Sequence, residues 1–177
     1  MATSLEQLMF PIGKFVKPDS FTEAQRAALI GELAEVPAKL KQAVEGLNDE
    51  QLDTPYRQDG WTVRQVVHHL ADASLNQYTR FKLALTEDNP TIKAFEEDPW
   101  AALADSKLPI ASSIAIADGL YERWDTFLRA MSDDDFARTF VHPVNGRMSL
   151  NILLAICVWH GKHHIAHITS LRERMGW

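Results

Sequence analysis

From Ser149 to Met175 the chain carries no proline, and its large apolar residues repeat with a helical period. At 100° per residue, Leu150, Leu153, Leu154, Cys157, Ile168, Leu171 and Met175 gather on one side of a single long helix, which Gly176 ends. A helix of that length with one apolar stripe needs partners along its whole length, and the sequence supplies them. Thr22 and Gln25 form a capping-box pattern ahead of a run with apolar positions at Ala27, Ile30, Leu33, Ala34, Leu40 and Val44. Pro37 predicts a kink or split of that run near Glu35. Thr62 and Gln65 open a second helix that reaches about Glu87, where "DNP" stops it. A third spans roughly Ser112 to Met131. Four amphipathic helices with almost no strand alternation specify an all-α protein, a four-helix bundle, read as one domain over residues 1–177 without internal repeats.

The connections are distinctive. Residues 1–21 contain two prolines and no helical period, so they read as an extended arm that covers something. "NDEQLDTPYRQDG" is a polar connection with room for one short helical turn. The stretch from Asn89 to Pro109 is long for a structureless loop and is expected to hold a short helix or line a site. "SDDD" starts a short turn, and "VNGR" between "TFVHP" and "MSL" is the one plausible hairpin, just before the last helix.

Composition narrows the function classes. The net charge is −6, which gives no basic footprint for nucleic acid or an anionic membrane. The N-terminus lacks a basic start followed by a long apolar run, so no secretory signal is visible. The longest apolar stretch, "ILLAICVW", is far short of the roughly 20 residues that span a bilayer. Cys157 is the only cysteine, which fits a reducing compartment and a cytoplasmic protein.

The chemistry concentrates in "VWHGKHHIAHI". His160 and His164 lie within about 50° of the apolar stripe's centre, while His163 and His167 sit about 70–110° away on the flank. Both pairs have the i, i+4 spacing that lets two imidazoles reach one ion, but only the first points at the core. Two buried imidazoles on one apolar stripe need a shared reason, and a metal ion supplies it. Zinc needs a further ligand, and "VVHHLAD" on the second helix offers His68 and His69. The apolar stripe of that helix lies about 130° from either, so periodicity leaves the choice open. His69 shares the less charged stripe, with Val66, Ala73, Asn76 and Arg80, which favours it. His142 reads as a loop residue and Cys157 as a small apolar core residue. His163 and His167 suit hydrogen bonds behind the ligands, a dimer contact or the surface.

Other metal architectures are excluded. "HGKHH" has no Glu after its first His, which removes the zincin pattern. No Glu-x-x-His occurs, which removes the di-iron carboxylate bundle, and two histidines on one face of one helix cannot ligate a haem from both sides. A mononuclear three-histidine site with one open coordination position remains.

"PIGKF", "EVPAKLKQAVEGL", "LDTPYRQDGWTVRQVVHHLAD", "RFKLALTE", "WHGKHHIAHI" and "RERMGW" together resemble the YfiT branch of the DinB-like superfamily over nearly the whole chain. The resemblance implies a four-helix bundle, generally homodimeric, that binds one zinc or nickel ion per chain through three histidines. By position these are His69, the histidine directly before Leu, with His160 and His164. Members are labelled metal-dependent hydrolases, and relatives act as S-transferases using bacillithiol or a similar small thiol. This chain has Asp72, Ala73, Ser74, Leu75 and Asn76 where members often have Asp-Ser-His-Met-Asn, so the wall beside the ligands differs.

Three functions follow for testing. In thiol transfer, a metal-bound thiolate attacks an electrophile and no protein nucleophile is needed. In hydrolysis, metal-bound hydroxide is the nucleophile and a nearby acid or base is wanted, which no residue supplies cleanly. The missing base favours transfer. The third is a non-catalytic metal-binding stress protein. No catalytic side chain is assigned; Asp72 reads as a solvent-facing charge or an orienting partner. Asn76 and Arg80 are candidates for binding a substrate carboxylate, Asn76 the better placed because Arg80 lies about 16 Å along the helix from His69 by rise alone.

Overall fold

The computed structural model describes residues 4–177. The elements run α1 (Leu5–Met9), α2 (Glu23–Ala34), α3 (Val36–Val44), α4 (Asp49–Leu52), α5 (Val63–Thr86), α6 (Glu97–Ala101), a 3₁₀ turn (Ala104–Lys107), α7 (Ala111–Ala130), α8 (Asp133–Ala137), β1 (Thr139–His142), β2 (Gly146–Ser149) and α9 (Leu150–Met175). Local chemistry explains most boundaries. Ser4, Thr22, Asn48, Thr62 and Ser132 each accept a hydrogen bond from the N3 backbone, and the N3 side chain bonds back in every case. The expected split of the first long run falls at Glu35, with proline in the first turn of α3 where its missing N–H costs nothing. Gly176 closes α9 in the left-handed conformation at φ +71°.

The arm departs from the expected extended form. Residues 5–9 are a helical turn built on the Ser4–Gln7 capping box, and the chain runs without further helix from Phe10 to Phe21. Residues 1–3 of that expectation lie outside the described residues. On α2, Ala27 and Ala34 are exposed, and Arg26 takes the inward position instead, paired with Asp133. Its long stem can cover apolar surface while the head stays paired.

Four helical rods make the bundle: α2–α3, α5, α7 and α9. Helix α5 packs on α7 and α9, and α2–α3 packs on the same two. Helices one and two of the bundle are therefore diagonal, as are three and four. The long polar link through α4 and the hairpin before α9 span those diagonals. The hairpin pairs His142 with Gly146, whose positive φ makes the turn, and a bridge from Val141 to residues 90–92 ties the 89–96 stretch to it. Among the described residues no helix is long and apolar enough to cross a membrane.

The core is in two parts. One holds Leu33, Phe81, Trp124, Phe140, Leu153 and Leu154, and the other Leu40, Val63, Val66, Val67, Ile168 and Leu171. Residues 63–70 of α5 share a cluster with 168–171 of α9, and 81–84 share one with 150–158, so the two helices run antiparallel. His69 and the histidines of residues 160–167 occupy the boundary between the clusters.

Gly161 sets the spacing there. A Cβ at this position would meet Val36 Cγ2 at 2.9 Å and Cγ1 at 3.2 Å, so its absence lets α3 close on α9 one residue from His160. Valine is stiff at χ1 and cannot swing away without moving backbone. Gly161→Ala is expected to destabilise the protein by about 1–3 kcal/mol, and Val36→Ala in the same chain to recover most of the loss. Thermal unfolding of the single and double variants checks this; a fully stable Gly161→Ala protein would remove the argument.

Candidate metal site

Helix α5 is buried over most of its circumference through its first half. Val63, Arg64, Val66, Val67, His68, His69, Leu70 and Ala71 are all buried. That is why the apolar stripe could not separate the two histidines: no face of this segment is a solvent face. Their partners separate them. His68 Nε2 donates to the Leu108 carbonyl at 3.0 Å, and its Nδ1 lies 2.7 Å from Ser113 Oγ, which donates to it. Both nitrogens are satisfied, so His68 is a structural core residue.

His69 Nε2 lies instead 3.2 Å from His160 Nε2, with His164 beside both, and the candidate ligand atoms of all three lie within 4.8 Å of one another. Two ring nitrogens at 3.2 Å match the edge of a tetrahedron with metal–nitrogen bonds of 2.0–2.1 Å, about 3.3–3.4 Å. Burial holds His69 at a pKa of about 4, and burial with the neighbouring imidazoles holds His160 and His164 well below the ordinary range. All three are therefore neutral near pH 7, the form a metal requires. Geometry and protonation state fit a borderline divalent ion.

His160 and His164 line a cavity of about 380 Å³ whose wall also includes His163, Trp61, Glu97 and Asp98, and His69 reaches it through its contact with His160. Trp61, just ahead of the α5 cap, packs its ring 4.5 Å from that of His69 and donates its Nε1–H to Asp98 at 3.0 Å. Phe95 is a further aromatic neighbour, its ring 6.2 Å from that of His69. The Asn89–Pro109 stretch thus contains a short helix and also lines the site. Glu97, which no sequence motif marks, joins this wall. Its carboxyl is pushed up by burial and by Asp98, against the pull of Arg80.

Arg80 reaches the neighbourhood despite its distance along the helix. Side chains lean toward a helix's N-terminus, and α9 runs antiparallel, so the Arg80 charge acts on Cys157, Glu97 and His160. Asn76 is half-buried and donates its amide to the Asp72 carbonyl of its own helix. Asp72 is half-buried, its carboxyl raised by burial and by Asp105, and is not part of the cavity wall. Cys157 is packed in the apolar core with its thiol pushed up by burial.

His163 and His167 are not surface residues: they are 7% and 3% exposed. The helical wheel places them on the flank, and the arm covers that flank. Met9 O accepts from His167 Nε2 at 3.1 Å, Phe10 lies against His163, and Gly13 O accepts from Trp159 Nε1. His142 accepts from the backbone of Val144 and Asn145 and shapes the hairpin turn.

Residues 32–168 match the model of the DinB superfamily. A protein of Bacillus cereus strain B4264, provisionally named a metal-dependent hydrolase, is 47% identical over 173 residues, spanning 98% of this chain and all of its own. A Bacillus mycoides protein with the same provisional name matches to the same extent. Among solved structures, YfiT from Bacillus subtilis, described as a probable metal-dependent hydrolase with an unusual four-helix bundle topology, superposes with a TM-score of 0.94 at 50% identity, covering 97% of this chain and 99% of its own. The four-helix bundle protein TT2238 shares the fold, with a TM-score of 0.55 at 16% identity over 79% of this chain and 94% of its own.

Proposed function

The chain belongs to the DinB superfamily, and we propose that it is a metal-dependent enzyme holding one zinc or nickel ion on His69, His160 and His164, and joining a small thiol to an electrophilic small molecule. The observation that carries this reading is what the cavity wall contains. Beside the neutral imidazoles it offers Tyr56, Arg57, Trp61 and carboxylates, but no serine, cysteine or lysine nucleophile among the described residues. The nucleophile must then enter with the substrates. A bound divalent ion supplies Lewis acidity, which brings the pKa of a thiol or of water toward neutrality.

The side chains have separate tasks. The imidazoles stay uncharged because they are buried, so their lone pairs remain available. Trp61 and Phe95 shield His69 from bulk water. Arg80, whose charge reaches Glu97 and His160 from behind the cavity wall, attracts a substrate carboxylate, whereas the Asn76 amide is held by its own helix. A carbon–sulfur bond forms as the bond from that carbon to its leaving group breaks; the leaving group takes the electron pair, and the thiol proton goes to it or to solvent.

Hydrolysis is the second reading, and Glu97 favours it: a carboxyl in the cavity wall, its pKa raised by its surroundings, is the proton acceptor the sequence lacked. Glu97→Gln separates the two. Transfer predicts thiol consumption within about tenfold of wild type, because no protein base is required. A loss of about 10²–10⁴-fold on ester or amide substrates, with no thiol consumed by either protein, would replace transfer by hydrolysis. Full metal occupancy without turnover on any pair would leave a binding protein.

A further inference from the structure

His163 and His167 are buried, conspicuously aromatic in their packing, and absent from the mechanism above. His163 stacks on Trp159 with ring centres 4.6 Å apart, and His167 on Tyr56 at 4.0 Å. Only one of their four ring nitrogens, Nε2 of His167, has a hydrogen-bond partner among the described residues. The Met9 carbonyl can only accept, so His167 carries its proton on Nε2, and Nδ1 presents a bare lone pair. That Nδ1 is buried without a donor, and so are Nδ1 of His163 and Nδ1 of His164. Buried polar atoms in native proteins are nearly always paired, so three on adjoining turns of one helix point to a common partner. The ligand atoms of His163, His164 and His167 also lie within 4.8 Å of one another. An imidazole that donates one N–H to a backbone carbonyl and keeps a bare lone pair on its other nitrogen, as His167 does, is in the usual state of a metal-ligating histidine. His68, with both nitrogens satisfied, shows what a purely structural histidine looks like in the same bundle.

We infer that His163, His164 and His167 form a second, outer position for a borderline divalent cation such as zinc, adjoining the inner position of His69, His160 and His164 and covered by the N-terminal arm. The inference rests on the inner reading only through His164, which both positions share. A neutral imidazole has one lone pair to give, so the two positions exclude each other on that ring. One ion per chain then occupies one or the other, and the outer position is where an ion rests when the inner one is incomplete. The Met9 carbonyl fixes the tautomer of His167, so the arm belongs to the outer position and not merely to the fold.

Cobalt(II), whose visible absorption reports its coordination, tests this on the full-length metal-free chain without any affinity tag. Wild type, His160→Gln, His167→Gln and the double variant are titrated, with circular dichroism establishing that each is folded. His160→Gln is expected to keep about one cobalt per chain, with an altered spectrum and affinity lower by about tenfold or more. His167→Gln is expected to keep the wild-type spectrum, and the double variant to bind none. A folded His160→Gln protein that binds no cobalt overturns the outer position and leaves the inner one standing, with ordered water on the Nδ1 atoms. Cobalt bound by His160→Gln as tightly as by wild type, and lost in His167→Gln, overturns the inner reading instead. Because the retained single-variant ion would sit elsewhere, metal content alone cannot report on the inner set, and the spectrum is the required readout.

Discussion

Replacing His160 by alanine is expected to empty the inner metal position, leaving at most a more weakly held outer ion, and to lower turnover by at least about 10³-fold, while the metal-free protein stays folded. The kinetic figure follows from losing several kcal/mol of Lewis-acid stabilisation, each 1.36 kcal/mol being tenfold in rate. The structural half follows from the His160 environment. Its Nε2 meets another ring nitrogen and no carbonyl or hydroxyl of the described residues, so truncation breaks no hydrogen bond to the scaffold. Removing a polar group that lacks a scaffold partner is far cheaper than orphaning one. His68→Ala provides the opposite case one helix away. It leaves Ser113 Oγ and the Leu108 carbonyl without their partner, and is expected to cost about 1–3 kcal/mol of stability with metal content unchanged. The cobalt(II) spectrum, thermal unfolding and turnover of both variants check the pair. If His68→Ala loses the ion and His69→Ala keeps the inner spectrum, the ligand assignment on α5 is wrong.

That contrast also shows where the sequence stops being legible. Helix boundaries were readable because capping chemistry is local: Thr22 with Gln25, Thr62 with Gln65 and Gly176 act within one turn. The i, i+4 pair His160 and His164 was readable for the same reason, since one helix decides which face both occupy. Choosing between His68 and His69 was not, because α5 is enclosed by α7, α9 and the 104–110 segment together, and a stripe marks only a helix with one buried side. Resemblance pointed to His69 where periodicity had no answer. Glu97 and Trp61 were invisible for a further reason. Their place in the cavity depends on how the Asn89–Pro109 stretch folds back over α5, through Asp98 accepting from Trp61 and Gln65 donating to the Ala101 carbonyl. Neither contact has a local signature. The arm's helical turn, by contrast, did have one in Ser4 and Gln7, hidden by two prolines further along.

Acidification of the metal-free protein is expected to unfold it, and bound metal to resist this. An unfolded histidine titrates near 6.5, whereas burial holds His69, His163 and His167 at about 4 in the fold. Between those values the unfolded chain takes up protons that the folded chain refuses, so stability is fully present above pH 6.5 and is lost as pH falls toward 4. For His69 alone the drop corresponds to roughly 3 kcal/mol. Asp72 and Glu97 act in the opposite sense, since desolvation raises their carboxyl pKa values and their protonation favours the fold, but two carboxyls that keep contact with solvent do not offset a layer of buried imidazoles. A bound ion competes with protons for the same lone pairs, so the loaded protein should keep its melting temperature to lower pH and then lose ion and fold together. At a hundredfold excess of free metal over its dissociation constant the added stability is about 2.7 kcal/mol. Melting curves from pH 7 to 5, with metal and with chelator, read this directly, in a window where ordinary carboxylates stay ionised. A chelated protein whose melting temperature is flat across that window would mean that the imidazole layer is hydrated rather than dry. The 3.2 Å approach of His69 to His160 would then be an arrangement that water can satisfy, and the case for an ion at that point would lose its physical basis.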